Sequence, residues 1–142
     1  MKLAPPPCGV YLSLRIDFDS DRLVQRIDTD SQTLNSAEEK AFDVIYEGCF
    51  TGHMTTASGR VGGVLRKGSP ATLEACRSAA NGGGLESISW DSGRALADLG
   101  IEPGAALCFI TDQNRVALAK INSMTKVNGS IPAVDFTVTS WH

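Results

Sequence analysis

The chain has 142 residues, 42% hydrophobic and 20% charged, with a net charge of −3. That is the length and composition of one globular domain with a core of its own. These values exclude the basic footprint of a nucleic-acid binder, and no stretch approaches the roughly 20 apolar residues of a helical membrane span.

The N-terminus, Met1-Lys2-Leu3-Ala4-Pro5-Pro6-Pro7, lacks an apolar h-region and so does not read as a signal peptide. Its prolines suit the end of an extended, semi-rigid linker, which predicts a tail over residues 1–8 and a single β-rich domain over 9–142. Val10, Leu12, Leu14, Ile16 and Phe18 alternate with polar residues, the period of a half-buried strand. Asp19-Ser20-Asp21 makes a turn, because short Asx side chains bond nearby backbone amides. Leu23 to Thr29 returns as the second strand of a hairpin, and Asp30 to Asn35 is a polar loop. The segment from Ser36 is ambiguous. Ser36-Ala37-Glu38-Glu39 satisfies a capping box, yet Phe42, Val44 and Tyr46 alternate and favour a strand from about Ala41 to Glu47. Gly52 to Gly63 reads as a glycine-punctuated loop, followed by a short strand over Val61 to Leu65.

Ser69-Pro70 is a helix entry, with Ser as N-cap and Pro at the first helical position. That helix runs to about Ala80 and stops at Asn81-Gly82-Gly83-Gly84, with Leu73, Cys76 and Ala80 on its inner face. A second short helix opens at Asp91 or Ser92 and closes at Gly100. Ala106 to Thr111 and Val116 to Ile121 flank a polar hairpin connection, and Val134, Phe136 and Val138 mark a last strand ending near Trp141. The expected fold is all-β and mainly antiparallel, a sandwich or barrel of about six to eight short strands with two short helices.

Four cysteines, Cys8, Cys49, Cys76 and Cys108, stand singly with no C-x-x-C pair, which argues against a zinc ribbon or thioredoxin-like site. An even number in a short chain fits two structural disulfides, and these persist in oxidising compartments. Three connectivities are open. The alternative is a cytosolic protein whose four thiols are small buried hydrophobes.

Candidate chemistry is sparse. Asp17, Asp19 and Asp21 have the 1, 3, 5 spacing of a calcium loop, and Asp28 falls at position 12. However, Arg22 stands where glycine makes the sharp turn, and the final bidentate Glu is missing. A solvated hairpin turn competes with a ligand or calcium site there. A Ser-His-Asp site would need His53, since His142 is terminal, and no G-x-S-x-G elbow accompanies it. Gly59, Gly62, Gly63 and Gly82 to Gly84 lack the lysine of a phosphate loop. Trp90 and Trp141 suit either a core or a stacking platform. Asn128-Gly129-Ser130 is a formal glycosylation sequon and equally a turn. No cofactor or metal site follows from these residues, and no catalytic residue is assigned.

The run from Leu99 to Ala117, with Pro103-Gly104, Cys108, Thr111, Arg115 and Ala117 at fixed offsets, resembles a poorly characterised module of actinobacterial exported proteins. That module lies at the extracellular ends of some membrane proteins, including receptor-like serine/threonine kinases. The resemblance extends to an earlier cysteine on a short helix (Cys76), an aspartate-rich opening hairpin (Asp17 to Ser20) and a closing strand (Phe136 to Trp141). The chain departs from it at Asp21, where glycine is usual, and at Gln113-Asn114, where Glu-Gly or Asp-Gly is usual. The resemblance implies a Cys76–Cys108 disulfide, leaving Cys8 for Cys49, with an all-β body and an extracellular setting. The expectation is an extracellular, non-catalytic ligand-binding or interaction module, the sensor end of a membrane-anchored protein tethered through its N-terminal linker. The alternative is a small secreted enzyme or enzyme inhibitor acting alone.

Overall fold

The computed structural model describes residues 1–4, 12–20, 24–28, 36–47, 53–57, 59–86, 88–89, 93–127 and 131–142. Two antiparallel sheets and one helix build three layers. The first sheet contains β1 (Lys2–Leu3), β6 (Val61–Leu65), β8 (Ala106–Ile110), β9 (Val116–Val127) and β10 (Ile131–Trp141), in the order β1-β10-β9-β8-β6. The second contains β2 (Leu12–Ile16), β3 (Val24–Asp28), β4 (Val44–Glu47), β5 (His53–Thr56) and β7 (Ile88–Ser89), in the order β3-β2-β4-β5-β7. Helices α1 (Ser36–Ala41), α2 (Leu73–Gly82) and α3 (Gly93–Asp98) complete the described elements. The sheets face each other as an open sandwich with no closed barrel.

Alternation along the strands decides which residues meet. Leu14 and Ile16 of β2, with Val44 and Tyr46 of β4, join Leu107 and Phe109 of β8 and Ala117, Ala119 and Ile121 of β9 in one inter-sheet core. The intervening residues of β8 and β9, Ala106, Cys108, Val116 and Leu118, face away from that core and pack under α2 with Cys76 and Ala80. Strand β8 is therefore buried on both faces, so Ala106-Leu107-Cys108-Phe109 reads as a continuous apolar run.

The helix starts later than Ser69-Pro70 suggests. Thr72 is its N-cap, and its hydroxyl accepts the Ala75 N–H at 3.2 Å. Ser69 instead lies in a turn whose N–H bonds Arg66 O, after Gly68 at φ 88°. Gly63 allows α2 to lie directly on β6, because a Cβ there would sit 1.8 Å from the Ala79 carbonyl oxygen. Cys76 and Cys108, both 0% exposed, are bonded with their α-carbons 5.3 Å apart, inside the usual range for a disulfide. The bridge spans 32 positions, which the chain-entropy model values at about 4 kcal/mol.

Three other local expectations change. The ambiguous segment holds both readings in succession, helix α1 and then strand β4. A strand, β5, occupies part of the expected Gly52–Gly63 loop, paired on β4 from Val44↔Thr56 to Glu47↔His53. Lys2 and Leu3, expected within a linker, pair with Asp135 and Val134 of β10, and Leu3 is buried in the inter-sheet core. Pro5 to Cys8 lie outside the described residues. A bulge opposite Asp135/Phe136 leaves Asn122 unpaired in the ladder, and such an extra residue bends a strand pair. Beyond the bulge, Pro132 comes over the second sheet, where its carbonyl accepts the buried Tyr46 hydroxyl at 2.8 Å.

Candidate functional site

Phe18 follows the end of β2 and is drawn inward, stacking on Phe109 with ring centroids 5.1 Å apart. Its neighbours Asp17 and Asp19 share a turn in which Asp17 Oδ1 accepts the Asp19 N–H at 2.9 Å. Between α1 and β4, Asp43 has no exposed side-chain surface. Its N–H donates to Ile16 O, and its carbonyl accepts from Ala57 N, each at 2.8 Å. The carboxylate accepts the Phe18 N–H at 2.8 Å through Oδ2 and the Asp112 N–H at 3.0 Å through Oδ1. Asp112 belongs to the β8–β9 hairpin, closed by the Thr111 N–H to Arg115 O bond with Asn114 in the left-handed region. One aspartate thus ties the β2 end, the β4 start and the β8–β9 turn at the same end of both sheets.

Asp17, Asp19 and Asp43 each offer a carboxylate oxygen to this end, all within 4.8 Å of one another. Two cations approach. Arg60 Nε lies 3.5 Å from Asp43 Oδ1, with a terminal nitrogen of the same guanidinium on Lys40 O, and Arg115 lies 3.6 Å from Asp19 Oδ1. The side chain of Asp19 is only 1% exposed, and neither of its oxygens accepts a hydrogen bond. Desolvation pushes the Asp43 carboxyl up to about 7; the Phe18 and Asp112 amides pull it back, while Asp19 and Asp17 raise it further. Asp112, exposed at the rim, is raised by desolvation and then by Asp19, with Arg60 acting the other way.

Asp17 and Asp19 therefore come together as their spacing suggests, while Asp21 lies outside the described residues and the third carboxylate of the group is Asp43. Sequence reasoning missed Asp43 and Asp112. The available signal was an acid within the apolar run Phe42-Asp43-Val44, whose three residues are all buried. His53 sits at the opposite end of β5 from the Val44↔Thr56 pair, about 10 Å along the strand at 3.3 Å per residue. His142 is exposed. Trp141 packs half-buried against the α2-side core, so among the described residues it is part of the packing; Trp90 lies outside them, as do Cys8, Cys49 and the Asn128 sequon. Gly62 and Gly63 are strand residues and Gly83 caps α2, so these glycines do not form a phosphate loop. Among the described residues no helix is long and apolar enough to cross a membrane. No family model, curated protein or solved structure matches the chain.

Proposed function

We propose that this chain is an extracellular, non-catalytic binding module of the kind it resembles in actinobacterial exported proteins, held at the end of a longer or membrane-anchored protein. The observation that carries the reading is the Cys76–Cys108 bridge, which joins α2 to β8, an interior strand of the first sheet, within a buried cluster. A bond of this kind persists where thiols are not continually reduced. Its placement gives it a mechanical part. The helix covers the outer face of β8 and β9, and the bridge holds it there, while the end of the sandwich at the β8–β9 turn carries exposed Asp112 and partly exposed Asp17 and Arg115. That end is the natural recognition surface, because its side chains come from turns positioned by two rigid sheets.

The test is thiol counting on protein drawn from its native host, with alkylating reagent present from lysis onward. Intact mass is compared with and without prior reduction. The reading expects Cys76 and Cys108 to label only after reduction and the protein to be accessible to protease added to whole cells. Quantitative labelling of both residues without reduction would place the chain in a reducing compartment and end the proposal.

A further inference from the structure

The end of the sandwich that carries Asp43 gathers more acidic than basic side chains among the described residues. Asp17, Asp19, Asp43 and Asp112 are four carboxylates, and Arg60 and Arg115 are the two guanidiniums that ion-pair with them. With all four ionised, the excess among the described residues is two negative charges, the amount one divalent cation balances. Charge alone does not make a site, and Asp19 supplies the independent observation. Its side chain is 1% exposed and neither oxygen accepts a hydrogen bond, an arrangement that buried polar atoms rarely keep without a partner. Arg115 approaches Oδ1 at 3.6 Å as an ion pair, longer than a hydrogen bond, and Oδ2 is left with no donor.

We propose that Asp17, Asp19 and Asp43 bind a hard divalent cation, calcium in preference to magnesium, with Asp112 at the mouth of the site. Carboxylate oxygen is the donor both ions favour, and the three oxygens, all within 4.8 Å of one another, are close enough to share one ion. Magnesium demands a near-ideal octahedron and sheds its waters reluctantly, whereas calcium accepts an irregular set of carboxylates from separate segments. The backbone bonds that Asp43 accepts from Phe18 and Asp112 orient its carboxylate in advance and leave lone pairs on both oxygens. Exposed Asp112 marks the solvent side, through which the ion enters with the waters that complete its shell. The proposal rests on these carboxylates and not on the disulfide, so it stands or falls apart from the extracellular reading.

The test uses the whole chain with its bridge intact, melted at about pH 8 in EDTA, in calcium chloride up to about 10 mM, and in magnesium chloride or sodium chloride at matched ionic strength. Calcium raises the melting temperature saturably by about 5 °C or more, and magnesium by less than half as much. Asp19→Asn abolishes the calcium response while its melt in EDTA stays at or above that of the wild type, because an uncharged amide replaces a buried charge that accepts no hydrogen bond. Should Asp19→Asn not fold, Asp17→Asn carries the test, with calcium affinity by calorimetry falling at least tenfold. A wild-type melt indifferent to calcium overturns the proposal. So does an undiminished calcium response in Asp19→Asn, or in Asp17→Asn where Asp19→Asn does not fold, or a folded Asp19→Asn whose EDTA melt lies well below wild type, which would make Asp19 a structural partner of Arg115.

Discussion

Replacing Gly63 by alanine sets a methyl group against the backbone of α2. The new Cβ lies 1.8 Å from the Ala79 carbonyl oxygen and 2.6 Å from its carbon, whereas carbon and carbonyl oxygen in contact keep about 3.3–3.6 Å. No rotamer relieves the overlap, since both obstructing atoms belong to the main chain. The helix must retreat by roughly 1.5 Å, and its retreat is opposed at Cys76, three positions before Ala79. Cys76 is bonded to Cys108, which stands directly opposite Gly63 in the β6–β8 ladder. Overpacking costs about 1–3 kcal/mol when side chains can shift; a helix held by a covalent bond places Gly63→Ala at the upper end, about 3 kcal/mol. Urea unfolding followed by circular dichroism measures it as a fall in midpoint at constant slope. In a Cys76→Ala/Cys108→Ala background the helix is free to lift, and the same substitution costs about 1 kcal/mol less, a coupling the double-mutant cycle reads directly. Gly63→Ala within about 0.5 kcal/mol of wild type, with the bridge still formed, would refute the account of how α2 sits on β6.

Two further outcomes follow from the buried polar groups. The Asp43 carboxyl, raised from 3.8 to about 7 on folding, binds its proton more tightly in the folded state than in the unfolded one. Its contribution to stability is therefore greatest below pH 4 and is lost as pH rises towards 7. The groups facing it are Asp17, Asp19, Asp112 and Arg60. In EDTA, wild type loses about 2 kcal/mol from this group between pH 5 and pH 7; Asp43→Asn lacks that component, so equal pH slopes for the two proteins would contradict it. Tyr46→Phe removes the bond to Pro132 O that pins the bent end of the β9–β10 pair over the second sheet. It costs about 1 kcal/mol or somewhat more in urea unfolding, and amide exchange beyond the bulge quickens with it; an unchanged exchange pattern would show that Tyr46 does not hold that end.

Period-2 alternation placed β2 and β10, a polar hairpin connection placed β8 and β9, and helical spacing placed the inward face of Cys76, all from residue order alone, because each pattern states which side of a sheet or helix is apolar. The capping box at Ser36 and the strand residues after Ala41 were both legible, but local propensity does not say where one reading yields to the other. Strand β5, four residues of His53-Met54-Thr55-Thr56, carries too short an apolar pattern to declare itself, and it exists because β4 offers it an edge. The acidic end was beyond local reading for the same reason. Asp43 meets Phe18 across 25 positions and Asp112 across 69, distances closed only when the two sheets pack. Composition, strand pattern and turn chemistry are properties of short windows and survive in the sequence. The company a buried carboxylate keeps is set by which strand ends the tertiary fold brings to one edge, and that is decided by the burial of Phe18, Phe42 and Val44 on either side of the aspartates.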